Sequence, residues 1–66
     1  MDAYFKPGDQ VIINSVGAND ADRVEIVAFD PAGVIVKLLS EIDDSPIGTA
    51  FFPWTSVISI LKKDRT

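Results

Sequence analysis

The chain has 66 residues, with six Lys and Arg side chains against ten Asp and Glu side chains, and it contains neither cysteine nor histidine. This length allows one domain spanning residues 1–66, and the missing thiol and imidazole groups exclude disulfides, thiolate metal sites and the common Ser–His and Cys–His catalytic pairs. The acidic balance disfavours strong non-specific binding to nucleic acid. We therefore expect a protein that is not an enzyme and that uses no cofactor.

The hydrophobic share of the sequence, 47%, is high for a chain of this size. A domain of about 60 residues buries only about 60% of the surface that its unfolded chain exposes, so part of the apolar surface needs another partner. A subunit interface would cover it, and we expect a homo-oligomer. The amino-terminal segment has no basic start followed by an apolar stretch, and no apolar run approaches the ~20 residues that span a bilayer. We expect a cytoplasmic protein that does not contact membranes.

The first half of the chain predicts two strands. A turn is expected at residues 6–9 (Lys-Pro-Gly-Asp), because Pro presets φ and Gly tolerates positive φ. Residues 10–16 are rich in Val and Ile and predict the first strand, and a polar loop follows. Residues 23–29 alternate in a way that predicts a second strand with Val24, Ile26 and Ala28 on one face and Glu25, Val27 and Phe29 on the other.

The second half predicts three more strands, at residues 34–40, 48–52 and 57–62. Residues 30–33 (Asp-Pro-Ala-Gly) match a type I turn that closes a hairpin, and residues 41–46 form an acidic loop. Pro53 cannot donate a ladder hydrogen bond, so the ladder should end there, with a 3₁₀ turn in the following corner. The fold class predicted is all-β, a small five-stranded and strongly bent SH3-like barrel.

Two segments of the chain place apolar residues around short turns in a distinctive way. In the first, Ala-Phe-Asp at residues 28–30 precedes the alternating run at residues 34–38; the second is residues 52–60. The two segments resemble the paired motifs of the Sm-like family, including its Hfq-type members. The resemblance covers residues 24–61. It implies a barrel of Sm-like type whose protomers assemble into a ring by pairing their last two strands.

The chain departs from this family at the residues that contact RNA. Where Sm proteins carry an Asn four positions after the motif Asp, this chain has Val34. Where they carry Arg-Gly, or Lys-His in Hfq-type members, it has Pro53 and Trp54. The resemblance therefore implies a self-assembling, non-enzymatic binding or scaffolding module, in which any RNA binding is weak.

Residues 52–57 also resemble the late motif of SH3 domains, in which an apolar residue and Pro precede Asn-Tyr-Val. In that family the Pro and Tyr help to form a groove for proline-rich peptides. Ser56 stands at the Tyr position, so one wall of the groove is missing. The alternative function is a protein-interaction module that binds a peptide or a partner protein.

The candidate contact residues follow from these two resemblances. Those expected to meet a ligand or a neighbouring subunit are Phe52, Pro53, Trp54, Thr55, Val57, Ile58 and Ile60. The cations expected to meet RNA phosphates are Lys62, Lys63 and Arg65. Trp54 is predicted to lie in a subunit contact or a binding groove, with packing over its own barrel core as the alternative. The acidic side chains of the loops are expected to be solvated, because they lack the spacing of a calcium loop.

Overall fold

The computed structural model of the protein describes residues 5–62. It contains the strands β1 (Gln10–Ser15), β2 (Asp22–Asp30), β3 (Gly33–Leu39), β4 (Pro46–Pro53) and β5 (Val57–Lys62). They form one antiparallel sheet in the order β4-β3-β2-β1-β5, so the predicted five-stranded all-β class is confirmed. Strands β4 and β5 lie at opposite edges. Within residues 5–62, no ladder joins these two edges into a closed barrel.

One face of the sheet carries the hydrophobic core. Its fully buried members are the alternating Val and Ile residues of the three central strands: Val11, Ile13, Val24, Ile26, Val34 and Val36. Ala50 and Phe52 of β4, and Val57 and Ile60 of β5, pack against this same cluster. Because both edge strands reach one cluster, the sheet must curve around it. Each fully buried Val or Ile side chain contributes about 1.5–3 kcal/mol to stability.

The predicted turns are present. The backbone N–H of Asp9 donates to the carbonyl of Lys6 at 3.1 Å, and Gly8 adopts a φ of 95° in the turn before β1. At the hairpin between β2 and β3, the Asp30 carboxylate accepts a hydrogen bond from the N–H of Ala32 at 2.9 Å. A 3₁₀ turn occupies Trp54–Ser56, and the ladder of β4 ends at its pair between Pro53 and Gly33, as predicted.

Three bulges interrupt the ladders, and each leaves one apolar residue without a cross-strand partner. The unpaired residues are Val27 in β2, Ile47 in β4 and Ile58 in β5. Their exposed fractions are 39%, 68% and 67%. A bulge bends its strand and increases the local twist. The bulges therefore help the sheet to curve while they leave apolar side chains in solvent.

The bulge at Val27 overturns one expectation from the sequence. Simple alternation placed Phe29 on the face opposite Ile26, but the extra residue shifts the register. Phe29 is therefore the cross-strand partner of Val34, and it lies on the same side of the sheet as the core. In its place, Ala28 pairs with Ile35 on the outer face.

Strand β4 is also longer than predicted. It begins at Pro46, inside the expected acidic loop, and ends at Pro53. Both ends can hold Pro because β4 is an edge strand, where a missing N–H need not break a ladder. Within residues 5–62, no helix has the length and apolar character needed to cross a membrane.

Candidate functional site

The corner after β4 is built around Trp54. Its backbone N–H donates to the carbonyl of Ala32 at 3.0 Å, and its indole Nε1–H donates to the carbonyl of Asp30 at 3.1 Å. The indole ring stacks on Phe29, with ring centroids 6.4 Å apart and an interplanar angle of 17°. We call Phe29 and Trp54, with the neighbouring Pro53, the aromatic corner. It ties the end of β4 to the hairpin between β2 and β3.

Close packing at Gly33 brings the aromatic corner together. A Cβ atom on Gly33 would lie 2.4 Å from the carbonyl oxygen of Phe52 and 2.6 Å from the Cζ atom of Phe51. Only a residue without a side chain lets β4 approach this closely. The sequence predicts Gly33 as the last residue of a turn. The structure gives it a second role, because the missing side chain lets the end of β4 lie against the hairpin.

Trp54 keeps substantial solvent exposure despite these contacts. Its exposed fraction is 37%, and that of Phe29 is 42%. Pro53 and Thr55 beside it are exposed as well. Trp54 therefore stacks on Phe29 of its own chain and is not one of the residues that pack against the core cluster, and the exposed part of its ring leaves room for a ligand or a neighbouring subunit.

The other predicted contact residues divide between the core and the solvent. Phe52, Val57 and Ile60 pack against the hydrophobic cluster of their own domain. Ile58, by contrast, is 67% exposed at its bulge on β5. Phe52 packs against the core while its neighbour Phe51 is 49% exposed, so the two aromatic rings lie on opposite faces of β4.

The edge strands expose further apolar residues that sequence reasoning did not select. These are Ile47 and Phe51 on β4, with exposed fractions of 68% and 49%, and Leu61 on β5, at 53%. Leu61 is the cross-strand partner of Ile12, next to the inward pair of Ile60 and Ile13. Alternation alone could have identified Leu61, but Ile47 depends on a bulge that the sequence does not reveal.

Of the three predicted phosphate contacts, only Lys62 lies within the described residues. Its Nζ lies 3.6 Å from a carboxylate oxygen of Asp9. This ion pair partly satisfies the positive charge, and its exposed position makes it a weak one. Lys63 and Arg65 lie outside the described residues.

The remaining chemistry of the described residues is sparse. Across residues 5–62, no three or more acidic side chains come together in a geometry that could hold a metal ion. No buried side-chain nitrogen or oxygen in this range lacks a hydrogen-bond partner.

Comparison with known proteins adds no relative. No protein-family model, no curated protein and no solved structure matches the chain. The functional argument therefore rests on the geometry of the domain itself.

Proposed function

We propose that this protein is a non-enzymatic, Sm-like binding or scaffolding module that assembles with copies of itself, β4 of one protomer pairing with β5 of the next. One observation carries the proposal. Both edges of the sheet are open strands that present exposed apolar side chains, Ile47 and Phe51 on β4 and Ile58 and Leu61 on β5.

Open edges offer a row of backbone donors and acceptors to any other strand. Monomeric proteins usually block such edges with charged side chains, Pro residues, β-bulges or short strands. Here the two Pro residues of β4 lie at its ends, the bulges at Ile47 and Ile58 lie at the second residue of each edge strand, and the one charged residue of β5 is Lys62 at its last position. The middle of each edge is left available for pairing.

The two edges differ in sequence, which favours a head-to-tail contact. A head-to-tail interface forms a ring if its rotation closes and a filament if it does not. The apolar excess of the chain, 47% of its residues, would then be covered between protomers.

The assembly can be tested by the mass of the protein in solution. Size-exclusion chromatography with light scattering should give a dimer or larger species at micromolar concentrations. Ile58→Lys should raise the concentration needed for assembly by about tenfold or more, because it replaces an exposed apolar side chain of the edge strand by a charge. A clean monomer of the parent protein across this range would overturn the proposal.

A matched control separates the edge from general surface effects. Val16 lies in the turn after β1 and is 66% exposed, almost the same as Ile58 at 67%. Val16→Lys should leave assembly unchanged. If both variants weaken assembly equally, the effect belongs to net charge and not to the edge of β5.

A second candidate function is recognition of a peptide at the aromatic corner. The observation that favours it is a stacked pair, Phe29 and Trp54, that remains partly exposed beside Pro53. Half-exposed aromatic rings are the surface on which proline-rich peptides dock. Trp54 is the single Trp of the chain, so its fluorescence would report binding of a proline-rich peptide directly. An unchanged emission at saturating peptide would exclude this candidate.

A further inference from the structure

A cavity opens at the end of the sheet opposite the aromatic corner. It lies where β2 begins and β3 ends, and its volume is about 850 Å³. This is within the range of about 300–1,000 Å³ that is typical of ligand pockets. Its apolar lining includes Ile12, Leu38 and Leu39, with Ile42 and Ile47 from the loop and strand that follow.

Leu39 shows that the apolar lining extends beyond the core cluster, although its neighbour Leu38 packs against that cluster. The exposed fraction of Leu39 is only 7%, yet it does not belong to the cluster around Val36. The β3 alternation directs Leu39 to the opposite face from Val36. The low exposure of Leu39 therefore comes from the walls of the cavity.

The loop that forms one wall is held in place by its own hydrogen bonds. The backbone N–H of Ser40 donates to the carbonyl of Ser45 at 2.8 Å, and the N–H of Asp44 donates to the carbonyl of Ser40 at 3.0 Å. The Ser45 hydroxyl donates to the Asp43 carboxylate at 2.7 Å. Within this loop Ile42 is 94% exposed. An ordered loop thus holds a large apolar side chain in solvent beside an apolar cavity.

The charge around the cavity is negative. Asp20, Asp22 and Glu41 contribute three carboxylates to its lining. Arg23 is the one cation among the described residues that line it, and its guanidinium forms an ion pair with Asp44. The cavity therefore combines an apolar floor with three carboxylates and one cation, and that cation is paired with Asp44.

We infer that this cavity binds a short cationic, amphipathic segment of a partner protein. Apolar side chains of the segment enter the cavity against Leu39 and Ile42, and its Lys or Arg side chains meet Asp20 and Glu41. Charge complementarity selects this occupant, because the same carboxylates repel RNA phosphates and anionic lipids. Residues 63–66 of this chain, Lys-Asp-Arg-Thr, contain no apolar side chain to fill the floor. The inference does not depend on assembly through the edge strands.

Fluorescence anisotropy with three labelled peptides tests the inference on the full chain. The probe is a peptide of alternating lysine and leucine. A lysine–serine peptide of equal charge lacks the apolar side chains, and a glutamate–leucine peptide reverses the charge. We expect saturable binding of the lysine–leucine peptide alone. Equal binding of the lysine–serine peptide, or no saturable binding of the probe, would overturn the inference.

Variants locate the site. Ile42→Ser should weaken probe binding about tenfold, as should Asp20→Asn combined with Glu41→Gln. The controls are Val16→Ser and Glu25→Gln, which change an exposed apolar residue and a carboxylate outside the lining; both should bind the probe like the parent protein. Unchanged binding by the cavity variants would overturn the inference.

NMR distinguishes the partner segment from a second copy of the chain. On addition of the probe, the amide signals of Arg23, Leu39 and Ile42 should shift more than those of the aromatic corner. In the absence of peptide, these three signals should not change as the protein is concentrated. Concentration-dependent shifts at these amides would identify a second copy as the occupant and overturn the inference.

Discussion

The two ends of the sheet differ in how far the chain covers its own exposed apolar side chains. At the aromatic corner, Trp54 stacks on Phe29 and donates its indole N–H to the carbonyl of Asp30, so much of its surface is covered by its own chain. At the cavity end, Ile42 is 94% exposed on an ordered loop. Trp54 is therefore only partly exposed, because its own chain covers the rest of the ring. Ile42 is not covered by its own chain, so nearly its whole side chain is available to a partner.

A substitution at Gly33 should have the largest effect on the packing of the aromatic corner. Gly33→Ala would place a Cβ atom 2.4 Å from the Phe52 carbonyl oxygen, so β4 must move away from the hairpin. We expect the free energy of unfolding to fall by about 3 kcal/mol. Urea denaturation followed by circular dichroism measures it.

Gly48 supplies a matched control on the same pair of strands. An added Cβ atom there meets nothing within 4 Å. Gly48→Ala should change stability by no more than about 0.5 kcal/mol. If the two substitutions cost the same, the close approach at Gly33 does not hold the aromatic corner together.

Trp54→Ala should have the next largest effect. It removes the stacking on Phe29 and the hydrogen bond to Asp30, and we expect a loss of about 2 kcal/mol in the free energy of unfolding. Trp54→Phe keeps the stacking and should lose about half as much. A change below about 0.5 kcal/mol in folding, together with weakened assembly, would instead place Trp54 in a subunit contact, as the sequence predicts.

RNA binding should be weak at either end. Ten acidic side chains face six cations, and Lys62 already lies near Asp9. At the aromatic end, Val34 and Pro53 occupy the positions at which the Sm-like resemblance expects RNA contacts. Fluorescence anisotropy with oligo-U and oligo-A should give micromolar or weaker affinity that falls steeply with salt. Nanomolar binding to either would show that these positions do not disable the site.

The smallest effect concerns the loop that holds Ile42. The Ser45 hydroxyl, and then its backbone N–H, donate to the Asp43 carboxylate and lower the pKa of that carboxyl. A lowered pKa in the folded state stabilises the loop above the ordinary aspartate pKa, and this contribution is lost as the pH falls through the folded value. The Ser45 amide signal should therefore titrate below about pH 3.9. A midpoint at or above that value would contradict the loop geometry.

Much of the fold was predictable from local sequence. The last strand, Val57–Lys62, coincides with its predicted range. The 3₁₀ turn begins directly after Pro53, where the ladder ends. These features depend on neighbouring residues, since Pro removes a donor and β-branched side chains favour strands. The sequence therefore predicts where the strands lie and how they are joined.

The bulges and the cavity were not predictable in this way. The register shift at Val27 exchanges the faces of Ala28 and Phe29, and nothing in the alternating pattern marks the extra residue. The cavity brings Ile12 next to Leu39 and Ile42, which are far apart in the chain. The bulges help to bend the sheet, and the cavity depends on contacts between residues that the local pattern does not bring together. Ile58, one of the predicted contacts, is exposed and its contact stays a prediction; Ile47 and the cavity were not among the predicted contacts.

The most direct measurement of the central claim is covalent capture of β4 against β5. The chain has no cysteine, so Thr49→Cys and Leu61→Cys introduce thiols on the two edges without background. Treated with a short bis-maleimide, the double variant should give covalent chains of two, three and more protomers, while neither single variant should form more than traces of dimer. Exclusive monomer from the double variant, or efficient dimer formation by Thr49→Cys alone, would contradict head-to-tail assembly.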